Sequence, residues 1–110
     1  MHRKYNTNMN TDELYYSAID LLKTLIEIPS LSREENEAAN KVENFIVEKG
    51  LHANRKKNNV WCIAPGYDIN KPTILLNSHI DTVKPVSAWK RNPFSAVEEN
   101  GRIYGLGSND

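Results

Sequence analysis

The chain has 110 residues, 39% apolar and 25% charged, and its 14 basic and 14 acidic side chains cancel. That length holds one domain with a modest core; the charge balance leaves no field to attract nucleic acid or an anionic membrane, and no window of about 18 apolar residues is available to span a bilayer. A single cysteine, Cys62, excludes an internal disulfide framework and suits a reducing compartment.

Residues 1–10 are polar and Asn-rich, lack the apolar stretch of a secretory signal, and are expected to be disordered or frayed. The expected location is therefore the cytoplasm. Residues 11–110 are expected to fold as one unit. Asn10, with Glu13 three positions on, predicts a capping box, and Leu14, Ala18, Leu21, Leu22, Leu25 and Ile26 predict an amphipathic helix that Pro29 ends. Ser32-Arg33-Glu34-Glu35 has the form of a second capping box. Ala38, Val42, Phe45 and Ile46 then share one helical face, and Gly50 supplies a left-handed stop.

From Leu51 the period changes to that of strands. His52–Lys57 and Val60–Ala64 predict a hairpin turning at Asn58-Asn59, which places Cys62 in a buried strand; Arg55-Lys56-Lys57 reads as a solvated strand or turn rather than a binding patch. Thr73-Ile74-Leu75-Leu76 is a short continuous apolar run that predicts a strand buried on both faces. Phe94–Val97 and Arg102–Tyr104, around Asn100-Gly101, predict a second hairpin. Helix, helix, hairpin and buried strand make an α/β fold, a mixed sheet flanked by helices. The run ending Gly105-Leu106-Gly107-Ser108-Asn109-Asp110 leads into no further element, so a truncated chain is expected.

Chemistry concentrates in Ser78-His79-Ile80-Asp81-Thr82-Val83, directly after the apolar run, where ligands of open α/β sheets bind. The neutral imidazole of His79 suits a borderline cation such as Zn²⁺. Asp81, two residues on, can reach its other ring nitrogen and set the tautomer. A His-x-Asp pair alone is equally compatible with a structural hydrogen bond. Gly105-x-Gly107 lacks the third glycine and the Lys-Ser/Thr of a phosphate cradle, and no Gly-x-Ser-x-Gly elbow supports a serine nucleophile. Trp89, Pro93 and Phe94 read as packing beneath a long loop. His2 and His52 have no partners at ligand spacing.

Taken together, Leu76-Asn77-Ser78-His79-Ile80-Asp81-Thr82-Val83, then Trp89 and Asn92-Pro93-Phe94, then Asn100-Gly101-Arg102-Ile103-Tyr104-Gly105-Leu106-Gly107-Ser108-Asn109-Asp110 resemble the zinc-dependent exopeptidase and deacylase family. That family holds acetylornithine deacetylase, succinyl-diaminopimelate desuccinylase and glutamate carboxypeptidase. Leu106 and Lys84 depart from its common pattern, where many members have arginine and proline.

The resemblance implies the N-terminal part of a zinc-exopeptidase-like catalytic domain. It also implies a metal-dependent amidohydrolase that removes the acyl group from an N-acyl amino acid such as N-acetyl- or N-succinyl-ornithine, in amino-acid biosynthesis, that of arginine included. His79 then resembles a metal ligand, Asp81 the catalytic carboxylate that orients it, and Asp110 a metal-bridging aspartate. Two zinc ions, with cobalt or manganese as substitutes, would complete the active site, and a full-length member would be a homodimer with no nucleic-acid or membrane partner. The 110-residue chain alone is expected to be inactive and to bind metal weakly. The alternative is a non-catalytic α/β interaction module in which the His79–Asp81 pair is structural.

Overall fold

The computed structural model describes residues 9–109. Asp110 and residues 1–8 lie outside them, and with those residues most of the expectation for the first ten. The element order is α1 (Thr11–Glu27), α2 (Asn36–Glu48), β1 (Asn54–Lys56), β2 (Asn59–Trp61), β3 (Val97–Glu99) and β4 (Arg102–Tyr104). The α/β class is observed. Its sheets are two separate antiparallel hairpins, β1–β2 and β3–β4, and its parallel pairing is the isolated bridge between Leu31 and Thr82. Among the described residues no helix is long and apolar enough to cross a membrane.

Local signals set the helix ends where tertiary contacts do not compete. At α1, Asn10 Oδ1 accepts the Glu13 N–H at 2.9 Å while Glu13 reaches back to the Asn10 N–H at 3.2 Å, the reciprocal box its spacing predicts. At the end of α2, Gly50 takes φ +79°. Its N–H donates to Val47 O and that of Leu51 to Ile46 O, closing the last turn on a left-handed glycine.

The start of α2 differs from expectation. Ser32 caps nothing; the helix begins at Asn36 with Glu35 as N-cap and no side-chain cap bond. The cause lies upstream. Leu31 is held by its bridge to Thr82, and the chain leaves it through a tight turn, with Glu34 N–H on Leu31 O and Arg33 at φ +74°. The helix starts only after that turn.

The hairpins shift for similar reasons. The β1–β2 turn falls on Lys57-Asn58, one residue before the predicted pair, with Lys57 at φ +56°. Arg55 sets that register. Its Nε donates to Lys57 O, and its guanidinium donates to Asn36, Asn40 and Glu43 on α2. In the second hairpin, Asn100 and Gly101 both take positive φ, as a two-residue turn of this hand requires. Strand β3 begins at Val97 rather than Phe94, because the Phe94 N–H is captured by Asn92 Oδ1 at 3.0 Å in a side-chain turn. Lys23 on α1 reaches Glu98 on β3 at 2.5 Å, and that hydrogen bond raises the pKa of the ammonium.

The central expectation fails at Thr73–Leu76. These residues form no strand, and Ile74, Leu75 and Leu76 are 85%, 83% and 92% exposed. A strand is an element only with a neighbour to take its N–H and C=O groups, and neither hairpin lies beside this run. Cys62 is likewise exposed rather than buried, since β2 ends at Trp61 and nothing covers the residues that follow. Among the described residues the buried apolar set is small: Ile26, Ala38, Ala39 and Leu106. The radius of gyration is 16.1 Å, against about 13 Å for a compact domain of this length.

Exposed apolar chain with unpaired backbone invites pairing with another copy. The 110-residue chain is therefore expected to self-associate in light scattering, and Leu75→Lys to shift it toward monomer. A wild-type chain that stays monomeric at high concentration and unfolds cooperatively at high temperature would remove this expectation.

Candidate functional site

The stretch His79-Ile80-Asp81 is held by residues far away in sequence. Ser30, 4% exposed, lies just beyond the end of α1. Its hydroxyl donates to Ile80 O at 2.8 Å, and its own carbonyl accepts the Thr82 N–H at 2.8 Å. From the other side, the turn after β4 comes down on the same region. The Leu106 N–H donates to Pro93 O at 2.7 Å, which draws Leu106 inward. Gly105 lies so close to Ile26 that a Cβ there would overlap Ile26 Cγ2, and Gly107, at φ +77°, lies against the Thr82 methyl.

Within this frame His79 and Asp81 meet. Nδ1 of the imidazole is 3.0 Å from the Asp81 carbonyl oxygen and 3.2 Å from Asp81 Oδ1. Both partners are acceptors, so a neutral ring placed this way carries its proton on Nδ1, and the lone pair falls on Nε2. The pair is accessible, with His79 62% and Asp81 37% exposed at the side chain. The two residues are therefore brought together as their spacing predicts, but on an irregular segment rather than at a strand end.

This segment forms the partition between two hollows. An open cleft of about 630 Å³ lies between residues 77–81, Glu35 and the β1–β2 hairpin, with Trp61 and Asn58 on its far wall. A smaller cavity of about 260 Å³ lies behind, lined by Leu22, Ile26, Ser30 and Leu106. Thr82 Oγ1 is buried without a hydrogen-bond partner among the described residues.

Glu35 adds a second carboxylate to the cleft. Its Oε1 accepts the Arg33 N–H at 2.7 Å and its Oε2 accepts Asn58 Nδ2 at 3.2 Å. The Arg33 N–H foremost, with the backbone N–H of Glu35 itself, holds this carboxyl below the usual range, against partial desolvation and the repulsion of Asp81. An imidazole, two carboxylates and an aromatic wall suit a cation or a small polar ligand.

Sequence reasoning missed Ser30 as a site residue and read Glu35 only as part of a cap. The one trace of Ser30 is a hydroxyl between Pro29 and Leu31 at a helix break, and such residues are common in turns. Asp110, expected as a metal ligand, lies outside the described residues. Among those described, no three His, Cys, Asp or Glu side chains group closely enough to hold a metal ion. His79 alone fits one ligand position, because its Nδ1 contact turns the Nε2 lone pair to use as a donor. Of the expected packing residues, Phe94 is half-buried and Trp89 is 37% exposed.

Residues 75–110 match the family described as peptidase family M20/M25/M40. The chain is 32% identical over 101 residues to a succinyl-diaminopimelate desuccinylase of Blochmanniella floridana, covering 84% of this chain and 26% of that protein. It is 31% identical over 105 residues to an acetylornithine deacetylase of Buchnera aphidicola subsp. Schizaphis graminum, covering 86% and 28%. A shorter stretch of 47 residues is 49% identical to an aminoacylase-1 of Dictyostelium discoideum, covering 41% and 12%. The chain spans about a quarter of the length of the first two relatives.

Proposed function

We propose, from the match of residues 75–110 to peptidase family M20/M25/M40, that this chain is the N-terminal part of a metal-dependent hydrolase acting on N-acyl amino acids. N-acetyl- and N-succinyl-ornithine are the substrates we favour, because deacetylases and desuccinylases are the relatives it resembles over most of its length. The carrying observation is the contact of His79 Nδ1 with Asp81, inside the matched stretch and on the wall of an open cleft.

His79 would hold a metal ion through Nε2, with Asp110 as a second ligand by family resemblance. A bound Zn²⁺, or Co²⁺ or Mn²⁺ in its place, would supply a water of lowered pKa and polarise the scissile carbonyl. The chain's own part is positional. Asp81 keeps the imidazole proton on Nδ1, and Glu35, ionised by its N–H donors, adds negative charge that favours a cation in the cleft. Among the described residues, no carboxylate beyond Asp81 and Glu35 lines this cleft, and both are engaged by hydrogen bonds. A general base from elsewhere in a longer protein completes the reaction in this proposal. Such a protein would be a cytoplasmic homodimer.

The non-catalytic alternative draws on the exposed run Ile74–Leu76, which suits an interaction surface. The two readings separate in one assay. The 110-residue chain and a protein of the relatives' length that begins with it are compared on N-acetyl- and N-succinyl-ornithine, with added Zn²⁺ or Co²⁺. Turnover is expected from the longer protein only. A longer protein inert on every N-acyl amino acid removes the hydrolase reading; turnover by the short chain that survives repurification removes the division of labour.

A further inference from the structure

We propose that Ser30 is a positioning residue for His79, acting through the two peptide groups that flank Asp81. The proposal rests on the reading of His79 as a donor to a cation and adds a residue to that site.

The geometry is specific. The backbone of Asp81 lies between the Ile80–Asp81 and Asp81–Thr82 peptides, and Ser30 holds both. The Ser30 hydroxyl donates to Ile80 O on the first, and the Ser30 carbonyl accepts the Thr82 N–H on the second, each at 2.8 Å. Fixing the planes on either side of one Cα restrains its φ and ψ, since a peptide unit rotates as a rigid plane. The second plane also carries the Asp81 carbonyl, whose oxygen is 3.0 Å from His79 Nδ1. One peptide therefore links Ser30 at its N–H end to the imidazole at its C=O end. The bond from the Thr82 N–H to the Ser30 carbonyl is part of the parallel bridge between Leu31 and Thr82.

Several features show that this goes beyond simple packing. Ser30 is the buried polar residue of the described core, at 4% exposure, while the groups it orients stand in the open cleft. A serine in a turn ordinarily bonds its own neighbours, whereas this hydroxyl crosses 50 residues to a carbonyl adjacent to Asp81. Without that bond the Ile80 carbonyl can turn and the Asp81 backbone swings with it. The Nδ1 acceptors then move, and with them the preference for a lone pair on Nε2.

The test reads the tautomer directly, by ¹⁵N NMR of the His79 ring in the full 110-residue chain at a pH where the ring is neutral. Ser30→Ala is expected to lower the ratio of the Nδ1–H to the Nε2–H form by about fivefold, the equilibrium worth of one ordinary hydrogen bond. Ser30→Thr, which keeps the hydroxyl, is expected to restore it. Ala39→Gly, a fully buried change in α2 that removes no hydrogen bond of Ser30, controls for general loosening and is expected to leave the ratio alone. An unchanged ratio in folded Ser30→Ala, or an equal drop in Ala39→Gly, overturns the proposal. Should Ser30→Ala not fold, Ser30→Cys places a weaker donor at the same point, and a ratio identical to wild type overturns it equally. Failure here differs from failure of the hydrolase reading. A tautomer that follows Ser30 in a protein inert toward N-acyl amino acids keeps the positioning and discards the chemistry. A turning-over enzyme whose tautomer ignores Ser30 does the reverse.

Discussion

Replacing His79 by alanine, in a protein of the relatives' length that begins with this chain, is expected to lower metal-dependent turnover of N-acyl amino acids by at least about 100-fold. That is the upper end of what the loss of a residue merely supporting a ligand costs. The same change should weaken binding of Zn²⁺ measured by calorimetry, because no other histidine lines this cleft among the described residues. Asp81→Asn is expected to cost less, about 10-fold, at the lower end of that range. Asp81 offers His79 two acceptors, its carbonyl at 3.0 Å and its Oδ1 at 3.2 Å, and asparagine preserves the first outright. The order matters as much as the sizes. Turnover in His79→Ala within about threefold of wild type, or a larger loss in Asp81→Asn than in His79→Ala, would contradict the ligand role of His79.

Gly105→Ala carries the largest expected effect on stability. A Cβ at this position overlaps Ile26 Cγ2 and lies 3.2 and 3.3 Å from its Cδ1 and Cγ1. Gly105 does not sit at positive φ, so the strain is one of space rather than of backbone conformation. The Ile26 methyl cannot swing clear: a β-branched side chain in a helix is confined to essentially one χ1 rotamer, and Cγ2 sits directly on Cβ. Either α1 or the turn after β4 must move, and such overpacking costs about 1–3 kcal/mol. At about 4–8 °C per kcal/mol for a domain near this size, the thermal midpoint should fall by several degrees or more. Ile26→Ala removes the overlapping atoms, so the double variant should lose less than the sum of the singles. An unchanged midpoint in Gly105→Ala, or strict additivity with Ile26→Ala, would show that the contact does not carry this cost.

What the sequence by itself determined is what depends on near neighbours. The Asn10–Glu13 box, the glycine stop at Gly50, the Asn100-Gly101 turn and the two-residue reach from His79 to Asp81 are each settled within a few positions. Their energetics are local, so spacing and residue type suffice to read them. The ordered strings around His79 also resemble the deacylase family, and the match of residues 75–110 agrees with them.

What only the tertiary structure decided is everything that needs a distant partner. Ser32 looked like a cap until the Leu31–Thr82 bridge claimed the residue before it. The first hairpin turned a residue early because Arg55 is clamped to three side chains of α2. Ile74, Leu75 and Leu76 have the composition of a buried strand, yet composition states only a preference for burial, and a strand also requires a neighbour to complete its hydrogen bonds. Ser30 is the sharpest instance. Its role in the site rests on bonds to residues 50 and 52 positions away, and no local pattern encodes where a chain will return to meet it.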